Sequence, residues 1–314
     1  MENRQFNHYT VMKNEAVSAL NINQDGIYID ATLGGGGHSF EIVKKLGDNG
    51  KLIAIDRDIE AIEFAKNRLK EFEKKICFVK DNYGNIKDIL NQLGYDKIDG
   101  ALIDLGVSSY QIDSPHRGFS YMKKDSILDM RMDKEQPLTA KTVVNEFEKD
   151  KLKEILYNYG EERYTEIIVR EIIKYRKTKA VETTGELADI IKDAVKNVRY
   201  DGGHPAKRTF QAIRIFVNNE LGEIEPTVDT LIDKLKPKGR IIVIAFHSLE
   251  DRLIKRCFNK HEKGCECPAA FPICVCGRKP TIKTITKKPA YPSKEEIAEN
   301  SRSESAKMRV AEKL

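Results

Sequence analysis

Hydrophobic and polar positions alternate in blocks along the first third of the chain. Four apolar runs predict strands, namely IYID (27–30), KLIAID (51–56), ICFVKD (76–81) and IDGALIDL (98–105). The segments between them, 38–46, 59–72 and 86–93, carry apolar residues at steps of three and four, which predicts helices. This β-α-β-α order predicts an α/β fold, a parallel sheet with helices on both faces.

The pattern changes in the middle of the chain. Between 114 and 205 we find helical periodicity, as in IIVREIIKYR (167–176) and LADIIKDAVKNV (187–198), and no clear strand pattern. We therefore predict an inserted all-helical domain over 114–205. The sheet domain is then formed by 1–113 and 206–314.

The C-terminal part of the sheet domain opens with a helix at Pro205, since proline suits the first turn of a helix. Pro226 is expected to break or restart this helix. RIIVIAF (240–246) reads as a buried parallel strand, because it contains almost no polar residue. SLEDRLIKRCF (248–258) predicts a further helix, and SAKMRVAEKL (305–314) predicts a final edge strand.

Composition narrows the class of protein further. The 314 residues are 40% hydrophobic and carry a formal net charge of +5, which permits contact with nucleic acid without requiring it. The N-terminal segment lacks the apolar core of a secretory signal, and no run approaches the ~18 apolar residues of a membrane span. We expect a cytoplasmic protein that does not bind a membrane.

A run of four glycines, Gly34 to Gly37, follows the first strand and opens the first helix. Such a turn lets a ligand approach the backbone and exposes amide groups at the helix N-terminus. The second strand ends at Asp56, 22 residues after Gly34, where a carboxylate can accept hydrogen bonds from ribose hydroxyls. The sequence therefore predicts a nucleoside-binding site.

A second carboxylate, Asp104, ends the fourth strand, and ligands of open α/β sheets bind beyond such strand ends. S-adenosylmethionine combines ribose hydroxyls with a positive charge and has no pyrophosphate, whereas the dinucleotide fingerprint fits the loop only loosely. These features favour a methyltransferase. A nicotinamide-dependent oxidoreductase and an RNA-binding assembly factor that has lost catalysis remain alternatives.

Several ordered strings resemble the ribosomal RNA small subunit methyltransferase H family, also called MraW, from about residue 7 to 314. They are YIDATLGGGGHS, AIDRD, IDLGVSSYQID, YGEERY, HPAKRTFQAIRIFVNNEL, FHSLEDR and SAKMRVAEK. The resemblance implies a class I, Rossmann-like methyltransferase domain with an inserted helical domain for substrate recognition. It also implies methyl transfer from S-adenosylmethionine to N4 of a cytidine at the decoding centre of 16S ribosomal RNA, within the small subunit. A homodimer is compatible with this interpretation.

The resemblance also implies which residues contact the cofactor. The matching positions are Gly36, Gly37, His38, Asp56, Tyr83, Asp104 and Gln111. Beside Gln111 the chain departs from the family, with Tyr110 where proline is usual.

Methylation of an exocyclic amine needs positioning and a proton acceptor, and no covalent nucleophile. Asp104 is our candidate catalytic residue near the amine, although cofactor binding alone would explain it equally well. His247, at the end of the fifth strand, contacts substrate in one interpretation and caps the following helix beside Ser248 in the other.

Basic residues around Pro205 and in KPTIKTITKKP (279–289) are candidates for contacts with RNA phosphates, which would make binding depend steeply on salt. The candidates near Pro205 are Arg199, His204, Lys207, Arg208 and Arg214.

Four cysteines crowd into one short segment, at 265, 267, 274 and 276. They can offer four thiolates to zinc, or they can form a compact loop of reduced cysteines. Both interpretations stay open, and we assign no metal ligand from the sequence.

Overall fold

The computed structural model describes residues 9–198, 203–265, 267, 271, 273 and 275–314. The strands are β1 Ile27–Asp30, β2 Lys51–Asp56, β3 Ile76–Lys80, β4 Ile98–Asp104, β5 Leu235–Ala245, β6 Ile282–Thr284 and β7 Lys307–Lys313. The helices are α1 Lys13–Ala19, α2 Gly37–Lys45, α3 Ile59–Arg68, α4 Ile86–Gln92, α5 Ser109–Asp113, α6 Ala140–Glu146, α7 Lys149–Gly160, α8 Thr165–Arg176, α9 Thr184–Ala194, α10 Ala206–Asn218, α11 Ile224–Lys234, α12 Ser248–Lys263 and α13 Lys294–Glu299. Among these helices, none has the length and apolar character that crossing a bilayer requires.

All seven strands form one sheet in the order β3-β2-β1-β4-β5-β7-β6. Strands β1 to β5 are parallel, as predicted, and β7 is antiparallel to both of its neighbours. The order reverses between β1 and β4, so a ligand crevice is expected beyond the carboxyl ends of these two strands. Asp30 and Asp104 end them, which brings both carboxylates to this switch point.

The prediction that the chain ends in an edge strand is half right. Lys307–Lys313 is a strand, but it lies inside the sheet, between β5 and β6. The edge is β6, which pairs Ile282 to Thr284 with Lys313 to Ala311. Sequence reasoning missed β6 because three residues give no usable period and lysines surround them.

Both faces of the sheet are covered by helices. Apolar residues of α4, α11 and α12, such as Leu90, Val228 and Phe258, pack with Ile29 and Val243 on one face. Residues of α1, α2 and α3 pack with the alternate strand positions on the other face. Because helices bury both faces, the strands read as continuous apolar runs, and the predicted α/β class is confirmed.

The second compact unit comprises residues 107–220, and residues up to Gly106 together with Leu221–Leu314 form the first. The second unit is helical, with its own apolar core, as the pattern predicted. It is longer than the predicted 114–205 at both ends. On the C-terminal side the cause is α10, since Phe210, Ile213 and Val217 belong to the helical core. The helix starting at Pro205 ends at Asn219 in the left-handed conformation, and α11 starts before Pro226.

Candidate active site

The glycine turn is shaped by its own chain as well as by any ligand. Gly34 and Gly36 have φ values of +48° and +71°, which favour glycine. Gly37 has a different reason to lack a side chain. A Cβ there would lie 1.7 Å from Oγ1 of Thr10, so the segment before α1 fills the space beside the turn.

An internal carboxylate occupies the N-terminus of α2. Asp30, fully buried, accepts hydrogen bonds from the Ser39 hydroxyl at 2.7 Å, from the Ser39 backbone and from Thr32 N–H at 3.2 Å. Helix N-termini commonly bind phosphate groups, but here Asp30 supplies the negative charge. The glycine turn is therefore unsuited to a pyrophosphate.

Asp56 connects the end of β2 to the glycine turn. One of its oxygens accepts from Gly34 N–H at 2.8 Å and the other from Asp58 N–H at 2.9 Å. Burial nevertheless raises the pKa of Asp56 to about 6. These two bonds fix the carboxylate at the carboxyl edge of the sheet, where the sequence placed a ribose acceptor.

Asp104 sits at the end of β4 with one carboxyl oxygen unsatisfied. Its backbone N–H donates to Thr32 Oγ1 at 2.6 Å, which ties the end of β4 to the segment after β1. Oδ1 is buried and has no hydrogen-bond partner among the described residues. Oδ2 lies 3.7 Å from Nδ1 of His38, too far for a hydrogen bond. A buried acceptor without a donor is costly, so Oδ1 is a candidate contact for a ligand.

His38 is held in one orientation. Its Nε2 lies 3.1 Å from the carbonyl oxygen of Val11 and must carry the proton, because a carbonyl only accepts. The ring is 4% exposed, so the helix start and the segment before α1 fix it together. His38 therefore presents Nδ1 toward Asp104 as a fixed wall of the site.

Carboxyl groups dominate this end of the sheet. Burial raises the pKa of Asp104 well above its ordinary value, and the charges of Asp30, Glu250 and Glu296 raise it further. Burial also raises the pKa of Asp30 to about 6. Such a region repels a second anion and favours a cation.

Tyr83 and Gln111, carried over from the resemblance, stay predictions as cofactor contacts. Tyr83 follows β3 and is 7% exposed, with the Arg57 guanidinium 5.7 Å from its ring centroid. Gln111 belongs to the helical unit, where it forms a capping box with Ser108 at the start of α5. Its side-chain oxygen accepts from Ser108 N–H at 3.1 Å, so this oxygen has a structural role.

Between the two interpretations of His247, the structure supports the cap. His247, and not Ser248, is the N-cap of α12, and it forms a capping box with Glu250. The Glu250 carboxylate in turn accepts from the N–H groups of Phe246 and His247. These bonds hold the turn after β5.

The candidate RNA residues fall into different environments. Lys207 is exposed, as are the lysines of 279–289, whereas Arg214 is committed to an ion pair with Glu220 at 2.9 Å. His204 stacks on Tyr121 with ring centroids 4.6 Å apart. Arg199 lies outside the described residues.

Sequence reasoning missed three acids of the site. Asp30 was available as a signal, because it ends β1 and directly precedes the glycine turn. Glu250 and Glu296 are distant in the chain and join the site only through the fold. Glu296 accepts from Met12 N–H at 2.8 Å, a contact across 284 residues that no local pattern predicts.

Comparison with known proteins identifies the chain. The MraW methylase family model matches residues 5–314. Ribosomal RNA small subunit methyltransferase H of Clostridium botulinum (strain Kyoto) is 54% identical over 310 residues, covering 99% of this chain and all of that protein. The protein of the same name from Finegoldia magna is 52% identical over 312 residues, covering 99% of each chain. Ribosomal RNA small subunit methyltransferase H 2 of Agathobacter rectalis is 50% identical over 310 residues, covering 98% of this chain and 99% of that protein. The predicted resemblance is thereby confirmed, with its enzyme class of S-adenosylmethionine-dependent methyltransferase, and the chain belongs to the MraW methylase family.

Proposed function

We propose that this methylase transfers a methyl group from S-adenosylmethionine to N4 of a cytidine at the decoding centre of 16S ribosomal RNA, in the small subunit. The observation that carries the proposal is the unsatisfied, buried Oδ1 of Asp104 at the switch point of the sheet. The names of the relatives support the small-subunit RNA as substrate. That substrate places the reaction in the cytoplasm.

The charge of the site fits a sulfonium cofactor. Asp30 already occupies the N-terminus of α2, and Asp104 ends the neighbouring strand at the same switch point. A nicotinamide dinucleotide would bring a pyrophosphate against these acids, whereas the sulfonium of S-adenosylmethionine brings a positive charge. In this assignment Asp56 holds the ribose hydroxyls, and Gly36, Gly37 and His38 line the pocket beside it. Tyr83 and Gln111 complete the proposed set.

The bound cofactor supplies an electrophilic methyl group. Asp104 orients the exocyclic amine of cytidine by accepting one of its N–H bonds at Oδ1. As the N4–methyl bond forms and the methyl–sulfur bond breaks, N4 becomes positively charged and Asp104 accepts its proton. The raised pKa of Asp104 makes its carboxylate a stronger proton acceptor than an ordinary aspartate. The products are N4-methylcytidine and S-adenosylhomocysteine.

RNA binding is assigned to exposed basic residues, with the helical unit as the recognition domain. Lys207 at the start of α10 and Lys283 on the edge strand β6 have exposed side chains. Lysines in such positions bind phosphates by charge, which holds the RNA without reading its sequence. A target cytidine within a helix must be unpaired or flipped out before its N4 reaches Asp104.

The test is nucleoside mass analysis of 16S RNA after incubation of assembled small subunits with the protein and S-adenosylmethionine. We expect one new N4-methylcytidine, at the decoding centre. Methylation at carbon 5 or on another base would overturn the assignment of N4. RNA binding without methyl transfer would instead support the inactive assembly factor.

A further inference from the structure

The segment that joins α12 to β6 forms a loop with a fixed neck. Gly264, with φ of +67°, ends α12, and a Cβ there would lie 2.3 Å from the backbone carbon of Lys279. Thr281 N–H donates to the His261 carbonyl oxygen at 2.9 Å. Thr284 N–H donates to Glu262 at 2.9 Å, which also anchors the edge strand to α12. The chain therefore leaves and returns at one point.

The side chains of three cysteines lie close together in the loop that this neck closes. The Sγ atoms of Cys265, Cys267 and Cys276 lie within 4.8 Å of one another. The Sγ atoms of Cys265 and Cys276 are 3.8 Å apart, far longer than the ~2.05 Å of a disulfide. Two thiolates on one tetrahedral zinc ion, each about 2.3 Å from the metal, are separated by about 3.8 Å. The observed separation matches that expected for two thiolates on one metal ion.

The surroundings of Cys267 suit a thiolate. The backbone N–H of Val275 donates to Cys267 Sγ at 3.3 Å, and such a bond stabilises negative charge on sulfur. We propose that Cys265, Cys267 and Cys276 bind a zinc ion. The same loop holds a fourth cysteine, Cys274, which lies outside the described residues, and the proposal rests on the three that are described.

The position of the cluster indicates a structural role for the metal. The loop joins β6 at the edge of the sheet, whereas Asp104 ends β4, three strands away. With ~4.8 Å between neighbouring strands, β6 lies about 14 Å from β4, and we expect no role of the metal in methyl transfer. Sulfur-only ligation is typical of closed structural zinc sites.

The loop needs the metal for a defined structure, because its described residues form no apolar core of their own. The side chains of Phe271, Ile273 and Val275 are 52%, 75% and 73% exposed. Short segments that bury little apolar surface commonly depend on metal bonds for a defined structure. The proposed zinc ion cross-links the loop next to its neck. It therefore fixes the position of the chain where it enters the edge strand β6.

Metal analysis of the full-length chain, purified under reducing conditions without chelator, tests the proposal. We expect about one zinc ion per chain, lost in Cys265→Ser, Cys267→Ser and Cys276→Ser and retained in the matched control Cys77→Ser. Cys77 lies on β3, away from the loop. Cobalt added to the zinc-free protein should give thiolate-to-cobalt charge-transfer absorption and tetrahedral d–d bands, both absent from the three serine variants.

Trypsin provides a second readout that does not depend on activity. It cleaves after Lys263 and Arg278 at the neck, whereas the Lys279–Pro280 bond resists it, and we expect zinc to slow this cleavage at least several-fold relative to the chelated protein. Wild-type protein without zinc and without a cobalt spectrum would overturn the proposal. So would a metal content unchanged in the three serine variants, or a mass two hydrogens lower that shows a disulfide in place of a metal.

Discussion

The helical unit and the switch point of the sheet hold their buried charges in different ways. In the helical unit Glu220 is 4% exposed and forms a bidentate ion pair with Arg214, with hydrogen bonds of 2.9 and 3.0 Å. Each of these charged groups has its partners within the unit.

In the sheet unit Arg309, 6% exposed, likewise pairs with Asp251 at 2.6 Å, whereas the acids at the switch point are held by neutral donors. Asp30 accepts from Ser39 and Thr32, and Glu296 accepts from Met12 N–H. Asp104 keeps one buried oxygen without a donor among the described residues. Burial raises the pKa of all three acids, because neutral donors do not fully replace water around a carboxylate.

The difference separates a structural use of buried charge from a functional one. A paired charge contributes to a unique packing and requires nothing further. A buried polar group without a hydrogen-bond partner destabilises the folded state. Such a group is therefore expected where a ligand supplies the missing partner. In the proposed assignment, the acids at the switch point are one half of an interaction whose other half is a cationic cofactor and an amine.

Asp104 gives the most direct test of this difference between paired and unpaired buried charges. We expect Asp104→Asn to reduce turnover by about 10²–10⁴-fold, because the amide cannot accept the proton of N4. Asp104→Ala should abolish methyl transfer. Single-turnover rates at saturating S-adenosylmethionine measure the effect, with cofactor affinity determined separately by calorimetry.

Asp96→Asn is the matched control for Asp104, since its side chain is 86% exposed in the turn before β4. It should leave turnover unchanged. If Asp104→Asn kept a near-normal rate with saturating cofactor, Asp104 would be a binding residue and another group would accept the proton.

In the helical unit the corresponding change affects stability. We expect Glu220→Gln to lower the free energy of unfolding by about 3 kcal/mol, because it leaves the Arg214 guanidinium largely buried beside a neutral amide. Glu154→Gln breaks the exposed Lys151–Glu154 pair on α7 and should lower it by less than about 0.5 kcal/mol. Denaturant unfolding followed by circular dichroism compares the two. Equal effects would mean that burial does not distinguish these pairs.

The sequence predicted the fold where periodicity is long and local. β2 was predicted as Lys51–Asp56, as observed, since buried parallel strands leave a continuous apolar run. The compact helical unit extends beyond the predicted 114–205, because α10 is amphipathic and periodicity alone does not say which core its apolar face joins. The three-residue strand β6 is shorter than any pattern that predicts a strand.

The candidate site was predictable where strand ends meet the glycine turn. Asp56 and Asp104 follow from the rule that ligands bind beyond the carboxyl ends of parallel strands. The neighbours that set the electrostatics of Asp104 were not predictable, because Glu250 and Glu296 approach it from distant segments. The role of Gly37 was also hidden, since its neighbour Thr10 precedes the first strand.

Asp30 gives the smallest and most specific test of the comparison. Its pKa of about 6 in the folded chain exceeds the ~3.9 of an unfolded aspartate, so the folded state binds more protons between these values. The stability linked to Asp30 is therefore present below pH ~4 and lost as pH rises through ~6. Asp30→Asn cannot ionise and escapes this loss. We expect the difference in free energy of unfolding, variant minus wild type, to increase by about 2 kcal/mol between pH 4 and pH 7. Urea unfolding of both proteins without cofactor measures this difference. The titration of carboxylates remote from Asp30 cancels in it, whereas Asp56 and Asp104 are coupled to Asp30 and contribute to it. A difference that stayed constant with pH, or decreased, would show that the buried carboxylate is compensated in the absence of a ligand.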